Sequence, residues 1–270
     1  MDILTANDDV GQYPKSYYAA TATLPDPHPA AKGALSCDIC VIGGGFTGLS
    51  AALHLAERAF DVVLLEALRV GFGAPGRNGG QVGTGQRLGQ DTLERLVGTA
   101  RARALWDISL ESVRLVRDLI DKNPMTCEWR LVPANHAYAE KLERDYDYDE
   151  IRPLSRAQMR DMVGSPAYHG GTLDMGGGHI NPLRFALGLA LAAQARGVRI
   201  YERSRVTALN KGNPARVTTD QAEVDARHVV LAANGYLGRL QGQVAARVMP
   251  INNFIIATEP LSQEMADSLI

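Results

Sequence analysis

Three closely spaced glycines constrain this 270-residue chain more than any other feature. Gly43, Gly45 and Gly48 follow an apolar run, Ile39–Ile42, and open a segment rich in alanine and leucine, Thr47–Glu57. With this G-x-G-x-x-G spacing the first glycine permits a tight turn, the second lets backbone approach a pyrophosphate, and the third lets helix and strand pack closely. The pattern predicts a strand, a phosphate-binding turn and the start of a helix.

A second apolar run completes the predicted unit. Val62–Leu65 ends on Glu66, 23 residues after Gly43. An acid at this point accepts hydrogen bonds from a ribose hydroxyl, and the pyrophosphate lies at the helix N-terminus, where free N–H groups and the helix dipole favour negative charge. We therefore predict a dinucleotide site. Its candidate residues are Gly43, Gly45, Phe46, Thr47, Gly48, Glu66 and Ala67.

The chain then becomes unusually rich in glycine. Five of the ten residues 71–80 are glycine, which indicates backbone that adopts positive φ or touches something flat and large. In isolation a surface loop would explain such a stretch. Beside a predicted nucleotide fold we interpret it as a loop that faces the cofactor.

The sequence of this loop resembles that of a known family. Gly73–Gln81 is similar to the flavin loop of the D-amino-acid-oxidase-like (DAO) FAD-dependent oxidoreductases, and most similar to their gamma-glutamylputrescine oxidoreductase branch, which commonly has Gly-Ala-Ser-Gly-Arg-Asn-Gly-Gly-Gln. Ser16–Ala20, Gly177–Leu183 and Ile256–Leu261 fit the same branch, so the resemblance covers nearly the whole chain. Pro75 in place of the usual serine is a departure that implies weaker FAD binding.

The resemblance implies which residues contact the cofactor. It places the isoalloxazine beside the glycine-rich loop, adenine against the backbone of Val206, and the pyrophosphate near residues 233–235. These additional contacts are Gly73, Ala74, Arg77, Asn78, Gly79, Gly80, Gln81, Val206, Ala233, Asn234 and Gly235. Because residues 71–80 contain no His or Cys, we expect non-covalent FAD. A surface salt bridge is the alternative for Arg77, and an ordinary strand position is the alternative for Val206.

The implied reaction is oxidation of a C–N bond in an amine or amino acid, with a gamma-glutamylputrescine-like substrate. The family transfers a hydride equivalent to flavin, and oxygen is the expected acceptor. No residue pattern identifies a catalytic acid or base. Members of the family are longer, so we expect the C-terminal part of the substrate domain to be missing here. The alternatives are a truncated, non-catalytic flavin- or nucleotide-binding chain, and a nicotinamide-dependent dehydrogenase.

Composition and charge exclude other classes of protein. The net charge of −2 gives no reason to expect nucleic acid or an anionic membrane as partner. Residues 185–195 form the longest apolar stretch, which is too short to span a bilayer. Without a signal-peptide pattern we expect a cytoplasmic protein. Three cysteines do not make a disulfide framework, and no cluster has metal-ligand spacing. Cys37 and Cys40 have C-x-x-C spacing, but on opposite faces of an extended strand they would be buried apolar residues.

The predicted fold class is α/β: a Rossmann-like FAD-binding domain that is split in sequence, with a partial α+β substrate domain. The predicted segments are an N-terminal arm (1–36), an FAD-binding domain (37–90 and 170–240), and a substrate domain (91–169 and 241–270). Periodicity predicts helices within 91–122, 138–148, 155–163 and 183–196, and strands within 127–132, 198–201, 206–209, 215–218, 222–226, 228–231 and 249–258. We expect His179, after a glycine run, to lie in a loop.

Overall fold

The computed structural model describes residues 11–125, 130–134, 139–251 and 258–269. Contacts divide the chain into two compact units. The first unit contains Met1–Gly79, Asn123–Thr126 and Asn181–Ile255, and the second contains Gly80–Lys122, Cys127–Ile180 and Ile256–Ile270. The predicted domain boundaries at 90 and 170 differ from these divisions by about ten residues, since residues 80–90 and 170–180 belong to the second unit.

The first unit is built on a six-stranded sheet. Its strands, in chain order, are β1 (Gly33–Ile42), β2 (Val62–Leu65), β7 (Arg199–Tyr201), β8 (Val206–Asn210), β9 (Ala215–Thr219) and β10 (Ala222–Leu231). The spatial order is β7-β2-β1-β10-β9-β8. The first four are parallel neighbours, while β9 and β8 add antiparallel hairpins. This mixed α/β architecture with a parallel sheet confirms the predicted fold class.

The described residues of the first unit include the α-helices α1 (Tyr17–Thr21), α2 (Phe46–Ala56), α7 (Pro182–Ala195) and α8 (Gly242–Ala245). The start of α7 follows its local sequence, because the Asn181 side chain accepts from the Arg184 N–H and Pro182 occupies the first turn. The rings of Phe46 on α2 and Phe185 on α7 lie 5.6 Å apart, so the two helices pack together.

The central strands carry the buried core. All four residues of β2 are buried, as expected of a strand covered on both faces. Cys40 lies in the core cluster of the sheet and Cys37 packs against the same cluster, so the prediction of opposite faces is wrong. The Asp38 and Ile39 N–H groups both donate to the Asp61 carbonyl, an irregularity that shifts the alternation of side chains by one position. Burial raises the pKa of Cys37 to about 11 and of Cys40 to about 12, so both thiols stay protonated near neutral pH.

The second unit combines helices with a small antiparallel sheet. Its helices are α3 (Gln90–Val97), α4 (Thr99–Lys122), α5 (Ala139–Tyr146), α6 (Arg156–Met162) and α9 (Gln263–Leu269). Its strands are β3 (Gln81–Val82), β4 (Arg130–Ala134), β5 (Ile151–Leu154) and β6 (Gly171–His179). The sheet order is β3-β6-β4, and β5 also pairs with β6.

Several local predictions are confirmed and one is wrong. Gly98, with a φ of 84°, separates α3 from α4, so the predicted helical region 91–122 is two abutting helices. Ser155 caps α6 in a capping box with Gln158. His179 does not lie in a loop: it pairs with Gln81 and Arg130 at the end of β6. The parts of the predicted strands at 127–129 and 252–257 lie outside the described residues.

Two absences can be stated for residues 11–125, 130–134, 139–251 and 258–269. None of the helices in those ranges is both long enough and apolar enough to cross a membrane. Within the same ranges, no group of three or more His, Cys, Asp or Glu side chains is arranged to hold a metal ion.

Trp106 anchors the core of the second unit. Its side chain is fully buried, and its ring lies edge-on to Tyr146 and Tyr148 at 5.6 and 5.2 Å. We expect Trp106→Ala to lower the free energy of unfolding by about 3–5 kcal/mol, because the cavity cannot fully collapse. Urea denaturation measures this loss of stability, and hydrogen exchange of the backbone amides in α4 and α5 measures it locally. In the control, Leu96→Ala at an exposed position should change stability by less than about 0.5 kcal/mol. Equal effects of the two substitutions would contradict this assignment.

Candidate cofactor-binding site

Close backbone contacts at Gly43 and Gly48 shape the turn between β1 and α2. Gly43 has a φ of 114°, and its N–H donates to the Leu65 carbonyl at 2.9 Å. A Cβ at Gly43 would lie 2.6 Å from the carbonyl oxygen of Ala232, and a Cβ at Gly48 would overlap the Gly43 carbonyl oxygen. Both positions therefore require glycine: Gly43 for its φ and its contact with the end of β10, and Gly48 for close packing of α2.

Glu66 fixes the other side of this turn. Its Oε2 accepts from the Gly44 N–H at 2.7 Å and its Oε1 accepts from the Leu68 N–H at 2.9 Å. Burial raises the pKa of Glu66 above its ordinary value of 4.5, although both backbone N–H groups oppose the shift. Each carboxylate oxygen keeps a further lone pair, so the side chain retains the capacity to accept from a ligand hydroxyl.

These elements border a cleft of about 1080 Å³ that lies entirely in the first unit. The glycine turn, the end of β2, residues 72–75, strand β8 and residues 231–240 line it. Eleven of the residues predicted from sequence are in this lining: Gly43, Gly45, Phe46, Thr47, Glu66, Ala67, Gly73, Ala74, Val206, Ala233 and Asn234. Segments distant in sequence therefore meet around one cavity, as the split fold predicted.

The remaining predicted residues lie elsewhere. Gly48 is buried under the turn rather than in the lining, and Gly235 lies beside Pro250. The Asn78 side chain donates to the carbonyl of Ala74 at 2.9 Å, and a Cβ at Gly79 would meet nothing within 4 Å. Gly80 and Gln81 belong to the second unit, where Gln81 pairs with His179 in the sheet. Their roles as cofactor contacts stay predictions.

Arg77 contacts an aromatic ring within its own loop. Its Nε donates to the Phe72 carbonyl at 3.1 Å, and its guanidinium lies 4.7 Å from the centre of the Phe72 ring. Loop residues Ala74–Arg77 form a short 3₁₀ helix in which Pro75 and Gly76 are buried. The stacking and the hydrogen bond both link Arg77, at the end of this short helix, to Phe72 just before its start.

Sequence reasoning did not assign several residues that line the cleft. They are Phe72, Pro75, Arg205, Asp220, Tyr236 and Arg239, together with β8 residues after Val206. The Tyr236 ring packs on Gly73: its Cε2 lies 3.1 Å from the position that a Cβ on Gly73 would take. A tyrosine directly after the predicted pyrophosphate loop was the available signal, but its position depends on how residues 234–237 turn back.

The charges around the cleft suit an anionic ligand at one end. The N-cap of α2 is Gly45, which has no side chain to cap the first N–H groups, and Gly45, Phe46 and Thr47 line the cleft. A helix N-terminus of this kind favours phosphate. Elsewhere in the lining, Arg205 and Arg239 carry positive charge and Asp220 and Glu66 carry acidic side chains, so the helix N-terminus is the feature that favours phosphate. The Glu66 carboxylate stands at the end of β2, a position suited to ribose hydroxyls rather than to phosphate.

Comparison with known proteins identifies the family. Residues 38–270 match the family described as FAD dependent oxidoreductase (DAO). The chain belongs to this family. Gamma-glutamylputrescine oxidoreductase of Escherichia coli (strain K12) is 40% identical over 270 residues, an alignment that covers 96% of this chain and 63% of that protein. The probable oxidoreductase OrdL of Haemophilus influenzae is 36% identical over 275 residues, covering 96% and 64%. The chain thus spans just under two thirds of the length of these curated relatives.

A solved structure shares the fold. Glycine oxidase from Geobacillus kaustophilus superimposes with a TM-score of 0.57 at 22% sequence identity, covering 78% of this chain and 58% of that chain. Family membership indicates FAD as the cofactor. The uncapped start of α2, the glycine turn that no Cβ could enter, and Glu66 at the end of β2 fit the dinucleotide part of that cofactor.

The turn supplies the first prediction about the site. Gly43→Ala forces a side chain into a positive-φ position, which by itself costs about 1–3 kcal/mol, and against the Ala232 carbonyl. We expect a lower melting temperature and loss of FAD retention after gel filtration. Gly242→Ala is the matched control, because a Cβ there meets nothing within 4 Å. Retention of FAD by Gly43→Ala at the level of the control would contradict the role of the turn.

Glu66 supplies a pH-dependent prediction. Because the folded-state pKa is raised, the folded chain binds more protons than the unfolded chain above pH 4.5, and the Glu66 contribution to stability falls as the pH rises through the raised pKa. Glu66→Gln lacks this contribution. We expect the wild-type free energy of unfolding, relative to that of Glu66→Gln, to decline as the pH rises from about 4.5 through the raised pKa.

Urea denaturation of the apo chain across this pH range tests the Glu66 prediction. Glu223→Gln, which removes an exposed carboxylate on β10, is the control. A wild-type stability that rises with pH relative to Glu66→Gln would reverse the predicted sign.

Proposed function

We propose that this chain binds FAD non-covalently and belongs to an enzyme that oxidises a C–N bond in an amine or amino acid. One observation carries the proposal: in a member of the FAD dependent oxidoreductase family, the glycine turn, Glu66 and the Gly73–Pro75 segment line a single cleft. The cleft volume of about 1080 Å³ lies at the upper end of the range for small-molecule and cofactor sites, as a ligand as large as a dinucleotide requires.

Each part of the cleft has a role in this proposal. The N-terminus of α2 holds the pyrophosphate, Glu66 accepts from the adenosine ribose, and the Val206 backbone contacts adenine. Ala233 and Asn234 approach the pyrophosphate from the opposite side. Gly48 acts indirectly, because its missing side chain lets α2 reach the turn.

The flavin end is assigned to the loop that carries Arg77. In the proposal, Arg77 and the neighbouring backbone of Asn78 and Gly79 lie beside the isoalloxazine, where N–H groups and a guanidinium stabilise negative charge. Stacking on Phe72 already fixes the Arg77 guanidinium. The loop contains no side chain suited to covalent attachment, since residues 71–80 lack His and Cys.

The names of the relatives support a proposal for the substrate class. The 40% identical Escherichia coli protein is a gamma-glutamylputrescine oxidoreductase, so we propose a gamma-glutamylated or free diamine as substrate. When bound, FAD would supply the redox chemistry: it would take a hydride equivalent from the carbon next to nitrogen, and oxygen would reoxidise the reduced flavin, giving peroxide. The oxidised amine would be an imine, which water would convert to a carbonyl compound with release of ammonia from a terminal primary amine.

A visible spectrum of the purified chain, before and after addition of FAD and removal of the excess, tests cofactor binding. Retained flavin gives absorbance maxima at about 370 and 450 nm. A colourless protein that also fails to retain added FAD would refute the proposal for this chain. Trichloroacetic acid should release the flavin into the supernatant, and flavin that stays with the precipitate would refute non-covalent binding.

Turnover separates an oxidase from a cofactor-binding chain without activity. The FAD-loaded chain is incubated with gamma-glutamylputrescine, putrescine and glycine in air, and peroxide is measured with a peroxidase-coupled dye. Peroxide formed with the diamines supports the proposed substrate class, whereas preference for glycine would reassign it to amino acids. Bound FAD without peroxide or bleaching under anaerobic conditions would support the alternative of a non-catalytic flavin-binding chain.

A further inference from the structure

A second buried carboxylate lies behind the cofactor loop. Glu202 follows β7 directly, and only 1% of its surface is exposed. Its Oε1 accepts from the Val70 N–H at 2.7 Å, while its Oε2 accepts from the His28 N–H at 3.0 Å and lies 2.9 Å from the Arg69 Nε. A buried carboxylate is costly unless it is paired in this way, so these partners fix its position and it fixes theirs.

Two of these partners belong to the segment that connects the two ends of the cofactor site. Val70 and Arg69 lie between Glu66 and Gly73, both of which line the cleft. The backbone after β7 holds the same segment, since the Ser204 N–H donates to the Glu66 carbonyl at 2.8 Å. Neither Glu202 nor Val70 lines the cleft. Any influence of Glu202 on a ligand therefore passes through this segment.

Residues of the N-terminal arm also contact Arg69 and Val70. The Tyr13 hydroxyl donates to the Val70 carbonyl at 2.7 Å, and the Arg69 guanidinium lies 5.1 Å from the centre of the Tyr13 ring. Arg69 also donates to the Pro25 carbonyl at 2.8 Å. Val70 thus has its N–H held by Glu202 and its C=O held by Tyr13, which leaves little freedom to the residues that follow it.

We propose that Glu202 is a positioning residue for FAD. It holds Arg69 and Val70 so that Glu66 and the glycine-rich loop keep the spacing that the two ends of the cofactor require. This inference rests on the proposed function, because it assigns Glu202 to the FAD site described above. It predicts that FAD affinity depends on a side chain that does not touch the cleft.

The test compares FAD affinity and stability in Glu202→Gln. Glutamine keeps one acceptor oxygen. Its NH₂ group would face N–H donors whose bonds the second carboxylate oxygen accepts in the wild type, so we expect Val70 and Arg69 to shift. We expect the Kd for FAD, measured by quenching of flavin fluorescence, to rise about tenfold or more. The melting temperature of each apo chain is measured in parallel to separate affinity from general destabilisation.

Ser204→Ala is the matched control. Ser204 is also buried: its Oγ accepts from the Ala31 N–H of the arm at 2.8 Å and its hydroxyl donates to the Glu202 backbone carbonyl at 2.9 Å. Neither bond involves Val70, Arg69 or the Glu202 carboxylate, so Ser204→Ala leaves the contacts of that carboxylate in place. We expect this variant to lose apo stability while its Kd for FAD stays within about twofold of the wild type. A Kd that rises as much in Ser204→Ala as in Glu202→Gln would show a general structural effect and overturn the inference.

The remaining outcomes are also decisive. If the wild type retains FAD and Glu202→Gln binds it equally well, the inference fails and the proposed function stands. If the wild type itself retains no FAD, the proposed function fails and the inference falls with it. Should Glu202→Gln not fold, Tyr13→Phe removes the hydroxyl bond to Val70 without leaving a buried charge. Its Kd should rise about threefold, and an unchanged Kd would overturn the inference.

Discussion

The close approach between the turn after β1 and the end of β10 is the constraint on which the first unit depends. The Ala232 N–H donates to the Ile42 carbonyl at 2.8 Å, and the adjoining Gly43 leaves no room for a Cβ against the Ala232 carbonyl. This contact sets where α2 begins. Because α2 starts at the carboxyl ends of the parallel strands, its free N–H groups face the space that β8 and residues 231–240 enclose. The cleft thus exists because two strand ends pack backbone against backbone.

Two carboxylates have a comparable role in the loop after β2. Residues 67–73 of this loop belong to no helix or strand, and backbone N–H groups that leave water need an acceptor. Glu66 accepts from Gly44 and Leu68, and Glu202 accepts from Val70 and His28. A carboxylate is suited to this task because each of its two oxygens can accept from a different segment. These bonds fix the backbone at the start of the glycine-rich loop, although its glycines allow many backbone conformations.

The features that could be predicted from sequence are those decided within a few residues. The turn at Gly43 and the helices predicted within 155–163 and 183–196 depend on local hydrogen bonds and on φ, and the structure has all three. Strand β6 was missed because its run of glycines has neither alternation nor branched side chains. It forms because β3, β4 and β5 pair with it, which is a long-range cause.

The candidate site shows the same division between local and long-range causes. Eleven of the predicted residues line the cleft, since a strand-turn-helix unit and its returning strands bring them together wherever such a unit forms. Arg77 stacks on Phe72, an arrangement that depends on how the short 3₁₀ helix turns back on itself. The position of Tyr236 against Gly73 depends likewise on contacts between segments that lie far apart in the chain.

The sequence by itself indicated the first strand-turn-helix-strand segment and the family, because glycine spacing, apolar runs and a terminal acid are local and specific. Only the tertiary structure decided the order of the strands in the sheet, that Cys37 and Cys40 share one core cluster, that residues 171–179 form a strand of the second unit, and that Glu202 accepts from the Val70 N–H. Each of these depends on a partner far away in sequence. The sequence without its folded contacts does not show which carboxylate accepts from which N–H group.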